Sequence, residues 1–390
     1  MFKIQTLNNI SVRGLDRLPR DTFEVASEMT SPDAIMVRSA DMHKRDIPAS
    51  VRAIGRAGAG TNNIPVAAMS KRGVPVFNAP GANANAVKEL VLAGLLLASR
   101  NIAPALDFVR KLEGDDKALH EAVEAGKKKF VGFELPGRSL GVIGLGAIGI
   151  KVANAALDLG MEVWGYDPAM TVNNAWKLDA RVRRAVSVDD LISRSQFVSL
   201  HVPLIDATRN LVNADRLKLL KKQGVVLNFS RAPIVDEAAM VEALNAGTLH
   251  AYICDFPSVT LQGHPRVVAT PHLGASTGEA EENCAVMVAD QLRDYLETGN
   301  VTNSVNFPDA VLPLLPGKSR LAIVNENVPN MVGQISTQLA KESLNIADLL
   351  NKSRGDLAYT LVDLDAPPSA EALAAIEGIS GVLNVRTITG

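Results

Sequence analysis

Two short segments in the middle of the sequence have the residue types and the spacing of a dinucleotide site. Gly144, Gly146 and Gly149 directly follow the apolar run 139–143, and Asp167 ends the next apolar run. The first glycine allows a tight turn, the second lets a pyrophosphate approach the backbone, and the third lets the following helix pack closely on the strand. The pattern predicts a helix whose free N–H groups bind a pyrophosphate. The alternative for the glycines alone is an ordinary helix start.

The acid at position 167 favours NAD over NADP. Its carboxylate can accept hydrogen bonds from the adenosine ribose hydroxyls, and it would repel a 2′-phosphate. Three arginines further along the chain could fold near the same edge and would favour the phosphate instead. These are Arg181, Arg183 and Arg184.

Two further predicted strand ends supply groups suited to removing a hydride and a proton from a hydroxyl-bearing carbon. His272 can take the hydroxyl proton, because imidazole titrates near neutral pH. Arg231 can hold a substrate carboxylate with two parallel hydrogen bonds. A nearby carboxylate would raise the pKa of the histidine and fix its tautomer, and Asp255 is the local candidate. The alternatives are an ordinary loop histidine and an arginine in a surface salt bridge.

Two predicted strands near the amino terminus end in arginine and so offer an anion site. A guanidinium presents a planar fork to a carboxylate or phosphate, and the glycines that follow expose backbone N–H groups beside it. The alternative is a tight turn with a solvated arginine. The residues concerned are Arg38, Ser39, Arg56, Ala57 and Gly58.

These residues need parallel strands to position them, because functional side chains gather where such strands end. Short apolar runs alternating with Gly- and Pro-rich turns predict an α/β fold with two Rossmann-like parallel-sheet domains. Helices at 83–100 and 277–298 would carry the chain into the second domain and back, so the first domain is discontinuous. A C-terminal βαββαβ unit with an antiparallel sheet follows a linker at 312–318. The predicted domains are 1–98 with 274–311, 99–273, and 319–390.

Composition narrows the class of protein. A net charge of −2 over 390 residues gives no reason to expect nucleic acid or an anionic membrane as a partner. The apolar stretch 90–98 is too short to span a bilayer, and the first residues show no export signal. Cys254 and Cys284 lack metal-ligand spacing, so we expect no metal, and so few thiols favour a reducing, cytoplasmic setting.

Several motifs, in this order, resemble those of the D-2-hydroxyacid dehydrogenases, in particular the members that carry a C-terminal ACT domain. The resemblance covers almost the whole chain and implies NAD as the cofactor. It also implies oxidation of 3-phospho-D-glycerate to 3-phosphohydroxypyruvate, the first step of phosphorylated L-serine synthesis. The motifs are the stretches 55–60, 141–149, 200–204, 228–236, 271–277 and 304–308.

The resemblance assigns roles to single residues. Arg231 falls on the family's substrate-carboxylate arginine, and His272 falls on its acid/base histidine. The segments that bind the substrate carboxylate and phosphate contain Arg38, Ser39, Arg56, Ala57 and Gly58. The cofactor-binding positions are Gly144, Gly146, Ala147, Ile148, Gly149, Asp167, His201, Val202, Pro203, Thr208, Phe229, Ser230, Asp255, Gly274 and Ala275.

One departure from the family concerns the partner of His272. The common pattern has an aspartate and, five residues later, a glutamate that pairs with the histidine. An ungapped alignment on Phe256 places Cys254 and Val259 at these two positions. Asp255 is then the expected catalytic partner, and its alternative role is a contact with the nicotinamide amide.

The C-terminal unit resembles ACT domains in its order of elements. Asn325, Asn327 and Asn345 fall where related domains bind L-serine across a dimer, and asparagine suits an amino acid because it offers both a donor and an acceptor. The alternative is a structural dimerisation domain that binds nothing. Either way the resemblance implies a homodimer or homotetramer.

Two other functions compete with this one. The first is the same chemistry on another small D-2-hydroxy acid, such as glycerate in exchange with hydroxypyruvate, which needs no phosphate site. The second is a non-catalytic protein that senses NADH. Arg231 and His272 count against the sensor.

Overall fold

The chain divides into two units, one of residues 1–83 with 278–390 and one of residues 84–277. The structure is a computed structural model, and it describes all 390 residues. The strands are β1 Phe2–Leu7, β2 Phe23–Ala26, β3 Ala34–Val37, β4 Ala53–Arg56, β5 Val76–Phe77, β6 Ser139–Ile143, β7 Glu162–Tyr166, β8 Arg183–Arg184, β9 Phe197–Leu200, β10 Gly224–Asn228, β11 Leu249–Cys254, β12 Val267–Ala269, β13 Ser319–Glu326, β14 Ile346–Arg354, β15 Leu357–Leu364 and β16 Val382–Thr389.

Thirteen α-helices connect the strands. No single one is long and apolar enough to cross a membrane, and α3 with α4 passes such a test only as a pair bent by 68°. The helices are α1 Val12–Leu15, α2 Val66–Lys71, α3 Ala84–Ser99, α4 Ile102–Arg110, α5 Asp116–Gly126, α6 Ala147–Asp158, α7 Val172–Ala175, α8 Val188–Arg194, α9 Ala214–Leu219, α10 Glu237–Asn245, α11 Gly278–Thr298, α12 Met331–Lys341 and α13 Ala370–Glu377.

The unit of residues 84–277 is built on a seven-stranded parallel sheet with the order β12-β11-β10-β9-β6-β7-β8. All residues of β6, β9 and β10 are buried, which explains their continuous apolar sequences. The strand order reverses between β6 and β9. Ligands of open parallel sheets bind at such a point, outside the carboxyl ends of the strands.

Helix α3 belongs to this same unit. Its buried Val91 and Leu95 join the core formed by β6, β10 and β11. Gly94 lets the helix lie close to the sheet, because a Cβ there would meet Leu227 and Ile253 at 3.1 Å. The unit therefore begins at residue 84, before α3, whereas the predicted boundary followed residue 98.

The other unit contains a five-stranded parallel sheet with the order β2-β1-β3-β4-β5. The short apolar runs 3–7, 34–37, 51–56 and 74–78 predict four of these strands, whereas no such run predicts β2. Helix α11 returns the chain to this sheet, as expected, and its Val288 and Leu292 pack directly on Gly55 of β4.

The C-terminal residues form a four-stranded antiparallel sheet with the order β14-β15-β13-β16. Together with α12 and α13 its elements follow the expected βαββαβ order. Residues on one face of this sheet, including Val324, Tyr359 and Leu361, share one hydrophobic core with Leu292 and Leu296 of α11. The C-terminal sheet is therefore packed on the first sheet's unit instead of forming a separate third body.

Polar contacts hold the C-terminal sheet in this place. The fully buried Arg320 is paired with Asp363, and it also donates hydrogen bonds to the carbonyls of Thr298, Leu312 and Pro313. The Tyr359 hydroxyl donates to the Gly299 carbonyl at 2.6 Å. The stretch 312–318 was predicted to be a linker because of its prolines. The carbonyls of its first two residues are bound by Arg320.

Candidate active site

The glycine-rich segment lies between β6 and α6, at the carboxyl edge of the seven-stranded sheet. Gly144 adopts φ 92°, and a side chain there would collide with the His201 carbonyl. A Cβ on Gly149 would collide with the Gly144 carbonyl, whereas a Cβ on Gly146 would meet nothing within 4 Å. Space is therefore left beside Gly146, at the start of a helix that no side chain caps. Such a helix start, which includes Ala147 and Ile148, fits a pyrophosphate.

Asp167 follows β7 and binds the same segment. Its two carboxylate oxygens accept hydrogen bonds of 2.8 Å from the backbone N–H groups of Leu145 and Ala169. Each oxygen keeps a lone pair for a further donor. The position suits a ribose hydroxyl, as the spacing predicted.

Two of the three arginines that would favour NADP are engaged elsewhere in this unit. Arg181 forms two hydrogen bonds with Asp179, and Arg183 pairs with Glu162. No such ion pair or hydrogen bond involves the exposed Arg184. The carboxylate of Asp167, together with the pairing of Arg181 and Arg183, favours NAD.

Residues after β9 form the next part of the edge. The His201 ring contacts the Ser199 hydroxyl at 2.8 Å, and burial lowers the pKa of this histidine to about 3. The ring is therefore neutral near physiological pH. Thr208 donates to the Pro203 carbonyl at 2.6 Å and so fixes the loop that contains Val202.

The turn after β10 is organised by Asn228, a fully buried residue that was not singled out from the sequence. Its side chain accepts from the Ser230 N–H and donates to the Arg231 carbonyl. Ser230 in turn donates to the Leu200 carbonyl. Phe229 is buried, and the exposed Arg231 guanidinium donates to the Ser230 carbonyl. The turn thereby presents Arg231 at the sheet edge.

Asp255 follows β11 and is 1% exposed. Its carboxylate accepts hydrogen bonds from the Thr270 hydroxyl at 2.6 Å and from the N–H groups of Leu273 and Gly274 at 2.7 Å. Its backbone carbonyl also accepts from the His272 N–H at 3.1 Å. Asp255 therefore holds the turn 270–274, which includes the expected cofactor residue Gly274 and precedes the exposed Ala275.

His272 lies in this turn with φ 58°, a left-handed conformation. Its exposed ring packs edge-on against Phe256, with 5.2 Å between the ring centroids. No carboxylate lies within ion-pair distance of it, so the expected pairing with the Asp255 side chain is absent. The reason is that Asp255 is committed to the turn. Val259, the aligned position of the family glutamate, is 92% exposed and apolar.

The amino-terminal residues that were predicted to form an anion site lie together at the carboxyl ends of β3 and β4. Arg56 donates to the Arg38 carbonyl at 3.0 Å, and Arg38 forms an ion pair with Glu281 of α11. Burial lowers the pKa of Arg56, and the neighbouring Cys284 opposes this effect. An arginine nevertheless stays charged at physiological pH.

Backbone around these arginines is closely packed. A Cβ on Gly58 would meet the Arg56 guanidinium, so a side chain at this position would displace that group from its present place. Ala57 is buried and donates to the Val37 carbonyl, and the Ser39 N–H donates to the Asn8 side chain at 3.1 Å. Glu281 was not identified from the sequence, since only the fold brings it to Arg38.

The three asparagines expected to bind an amino acid are not together in one chain. Asn325 is near the end of β13, where it pairs with Ala358, and Asn327 follows and donates to the Gly355 carbonyl. Asn345 precedes β14 at the other end of the sheet and donates to Asp365. The strand rise places the two groups roughly 20 Å apart.

Comparisons with known proteins agree with this geometry. Residues 99–274 match the family described as D-isomer specific 2-hydroxyacid dehydrogenase, NAD binding domain. D-3-phosphoglycerate dehydrogenase of Haemophilus influenzae is 33% identical over 340 residues, which cover 84% of this chain and 79% of the relative. The enzyme of the same name from Escherichia coli K12 is 33% identical, with 86% of this chain and 81% of the relative covered.

The fold is also similar to solved structures. The NAD+-bound 3-phosphoglycerate dehydrogenase of Entamoeba histolytica has a TM-score of 0.58 and 26% sequence identity, covering 78% of this chain and 98% of that one. Sequence, sheet topology and the glycine-rich segment therefore lead to one assignment. The chain belongs to the D-isomer-specific 2-hydroxyacid dehydrogenases.

Proposed function

We propose that this chain oxidises 3-phospho-D-glycerate to 3-phosphohydroxypyruvate with NAD, the first step of phosphorylated L-serine synthesis. The observation that carries the proposal is the alignment of functional groups along one sheet edge. The glycine-rich segment, Arg231 and His272 follow β6, β10 and β12, whose parallel strands end at the same edge. The relatives named D-3-phosphoglycerate dehydrogenase support this choice of substrate.

The residues divide the chemistry between them. Arg231 binds the substrate carboxylate and polarises the adjacent carbon, and His272 takes the proton of the 2-hydroxyl group. The glycine-rich segment and Asp167 would hold NAD, which would supply the hydride acceptor for the same carbon. Asp255 acts through the turn that carries His272, and it does not touch the reacting atoms. Arg38 and Arg56 take the phosphate, which distinguishes this substrate from unphosphorylated acids.

Oxidation assays test this proposal. With NAD at alkaline pH, 3-phosphoglycerate should yield NADH and D-glycerate should yield little. His272→Ala should lower kcat by about a hundredfold or more, because a general base is lost. His264→Ala is the matched control, since this half-buried residue contacts Asn245 away from the turn.

Other results would change the assignment. Turnover of D-glycerate alone would indicate another small D-2-hydroxy acid as the substrate. NADH binding without oxidation of either acid would indicate the nucleotide sensor.

We propose further that residues 319–390 are an ACT-type domain that binds L-serine between two copies. The side-chain oxygen of Asn325 supports this role, because it is buried without a hydrogen-bond partner. Asn325 with Asn327 is far from Asn345 in one chain, so a joint site needs a second copy. A domain that only dimerises is the alternative.

A homodimer or homotetramer is proposed on a second feature, the helical arm of α4 and α5. No residue of α4 is buried, and only Gly126 is buried in α5. Leu106, Val109 and Val123 of this arm are exposed. Unpartnered apolar side chains of this kind suit a contact with a second copy. A reducing, cytoplasmic location is proposed from the sequence alone, because two cysteines in a chain of this length favour it.

A further inference from the structure

The ion pair between Arg38 and Glu281 has no part in the proposed transfer of hydride and proton. Arg38 directly follows β3, and Glu281 lies in the first turn of α11. The two side chains are 39% and 42% exposed, so an anion from solvent can reach both. Glu281 therefore uses part of the hydrogen-bonding capacity of an arginine that the proposed function gives to the phosphate.

The charges around this pair can be counted. Arg38 and Arg56 contribute two positive charges, and Glu281 contributes one negative charge, which leaves +1. Cys284, three residues further along α11, adds none, because burial raises the pKa of its thiol. The cluster would carry +2 without Glu281.

A phosphate monoester is sensitive to this difference. It carries close to two negative charges above its second pKa of about 6. In this cluster it meets one opposing carboxylate and must compete with that carboxylate for the donors of Arg38. An unphosphorylated acid has no group to place there and is indifferent to the competition.

We propose that Glu281 is a specificity-determining residue that limits how tightly the site holds phosphorylated acids. It neutralises Arg38 when no phosphate is bound and repels the phosphate when one is. The result is weaker retention of the phosphorylated substrate and product, which favours product release. This inference rests on the proposed assignment of Arg38 and Arg56 to the phosphate.

Glu281→Gln tests the proposal, because it removes the charge and keeps the size of the side chain. The KM for 3-phosphoglycerate and the inhibition constant of 3-phosphohydroxypyruvate should both fall about five- to tenfold, since a nearby like charge is gone. The KM for any D-glycerate turnover should stay within about twofold.

Glu282→Gln is the matched control. Glu282 is the next residue of α11, and it pairs with the exposed Arg13 at 3.0 Å instead of with Arg38 or Arg56. This variant should leave all three constants within about twofold of wild type, as expected for an exposed ion pair.

The sign of the effect separates two roles. If Glu281 only orients Arg38, Glu281→Gln will raise the KM for the phosphorylated acid, and the proposal is overturned. An unchanged KM overturns it equally. Failure of wild-type protein to oxidise 3-phosphoglycerate would instead contradict the proposed function.

Calorimetric titration with inorganic phosphate gives a readout that needs no turnover. Glu281→Gln should bind inorganic phosphate about five- to tenfold more tightly than wild type and Glu282→Gln. Equal affinity in all three proteins would overturn the inference whichever acid the enzyme oxidises.

Discussion

Asp255 accepts three hydrogen bonds from the turn 270–274 while His272, inside that turn, keeps a left-handed backbone. A non-glycine residue in this conformation costs about 1–3 kcal/mol and persists only where its surroundings hold it. The carboxylate supplies that restraint, because it binds residues on both sides of His272. Asp255 is therefore a positioning residue for His272, the proposed acid/base group.

Asp255→Asn should destabilise the protein by about 1–3 kcal/mol and lower kcat more than KM. The amide NH2 would face one of the backbone N–H donors of Leu273 and Gly274, leaving buried donors without an acceptor. Urea unfolding and steady-state kinetics measure the two effects.

Thr270→Val offers a graded comparison, because it removes only the hydroxyl donor among the three. It should produce a smaller loss of both stability and kcat than Asp255→Asn. Wild-type stability and kcat in Asp255→Asn would contradict the positioning role.

At the scale of elements, α11 connects two functional regions of its unit. It is 21 residues long, and its first turn contributes Glu281 to the ion pair with Arg38. Near its other end, Arg386 donates to the carbonyls of Tyr295 and Leu296, and Arg320 donates to that of Thr298. Cations at the carboxyl end of a helix satisfy free carbonyls and favour its dipole. The C-terminal sheet thus caps the helix that presents Glu281.

Asp363→Asn should destabilise the protein by about 3–5 kcal/mol, because it leaves the Arg320 charge buried without its partner. Denaturant unfolding, followed by circular dichroism, gives the free energy of unfolding. Both side chains of this pair are almost fully buried, at 0% and 3% exposure.

Lys318→Met is the control for an ion pair in the same region. It removes the contact of Lys318 with Asp365, whose side chains are 31% and 44% exposed. The expected loss is at most about 1 kcal/mol, as for surface pairs in general. Similar losses of unfolding free energy in Asp363→Asn and Lys318→Met would show that the buried pair is no more important than the exposed pair for holding the C-terminal sheet in place.

At the scale of the whole molecule, the proposed assembly of two or more copies rests on the exposed helical arm and the separated asparagines. The arm exposes apolar side chains in α4 and α5, and the asparagine groups lie at opposite ends of one sheet. The proposed assembly would cover the exposed apolar side chains and bring asparagines of two copies together.

Sedimentation velocity at micromolar concentration should show a dimer or tetramer. Val109→Glu should shift the protein toward monomer, because it places a charge among the exposed apolar residues of the arm. Val172→Glu is the control, since Val172 is 76% exposed in α7, outside the arm. A monomeric wild type, or equal behaviour of the two variants, would contradict the proposed interface.

The sequence by itself determined the family, the cofactor and most of the secondary structure. The glycine spacing, the acid at 167 and the buried apolar strands are local signals, because each depends on residues within one βαβ unit. Strand β2 was missed because its four residues include the exposed Glu24 and only Phe23 is buried.

Only the tertiary structure decided which groups meet across distant parts of the chain. Asp255 holds the turn of His272 instead of pairing with its ring, Glu281 reaches Arg38, and Arg320 binds the C-terminal sheet to the end of α11. Each contact joins residues that are brought together by the order of strands in a sheet or by the direction of a helix. Local sequence periodicity predicts neither of these. The two-unit division has the same cause, because shared burial, not the proline-rich stretch, sets the boundary.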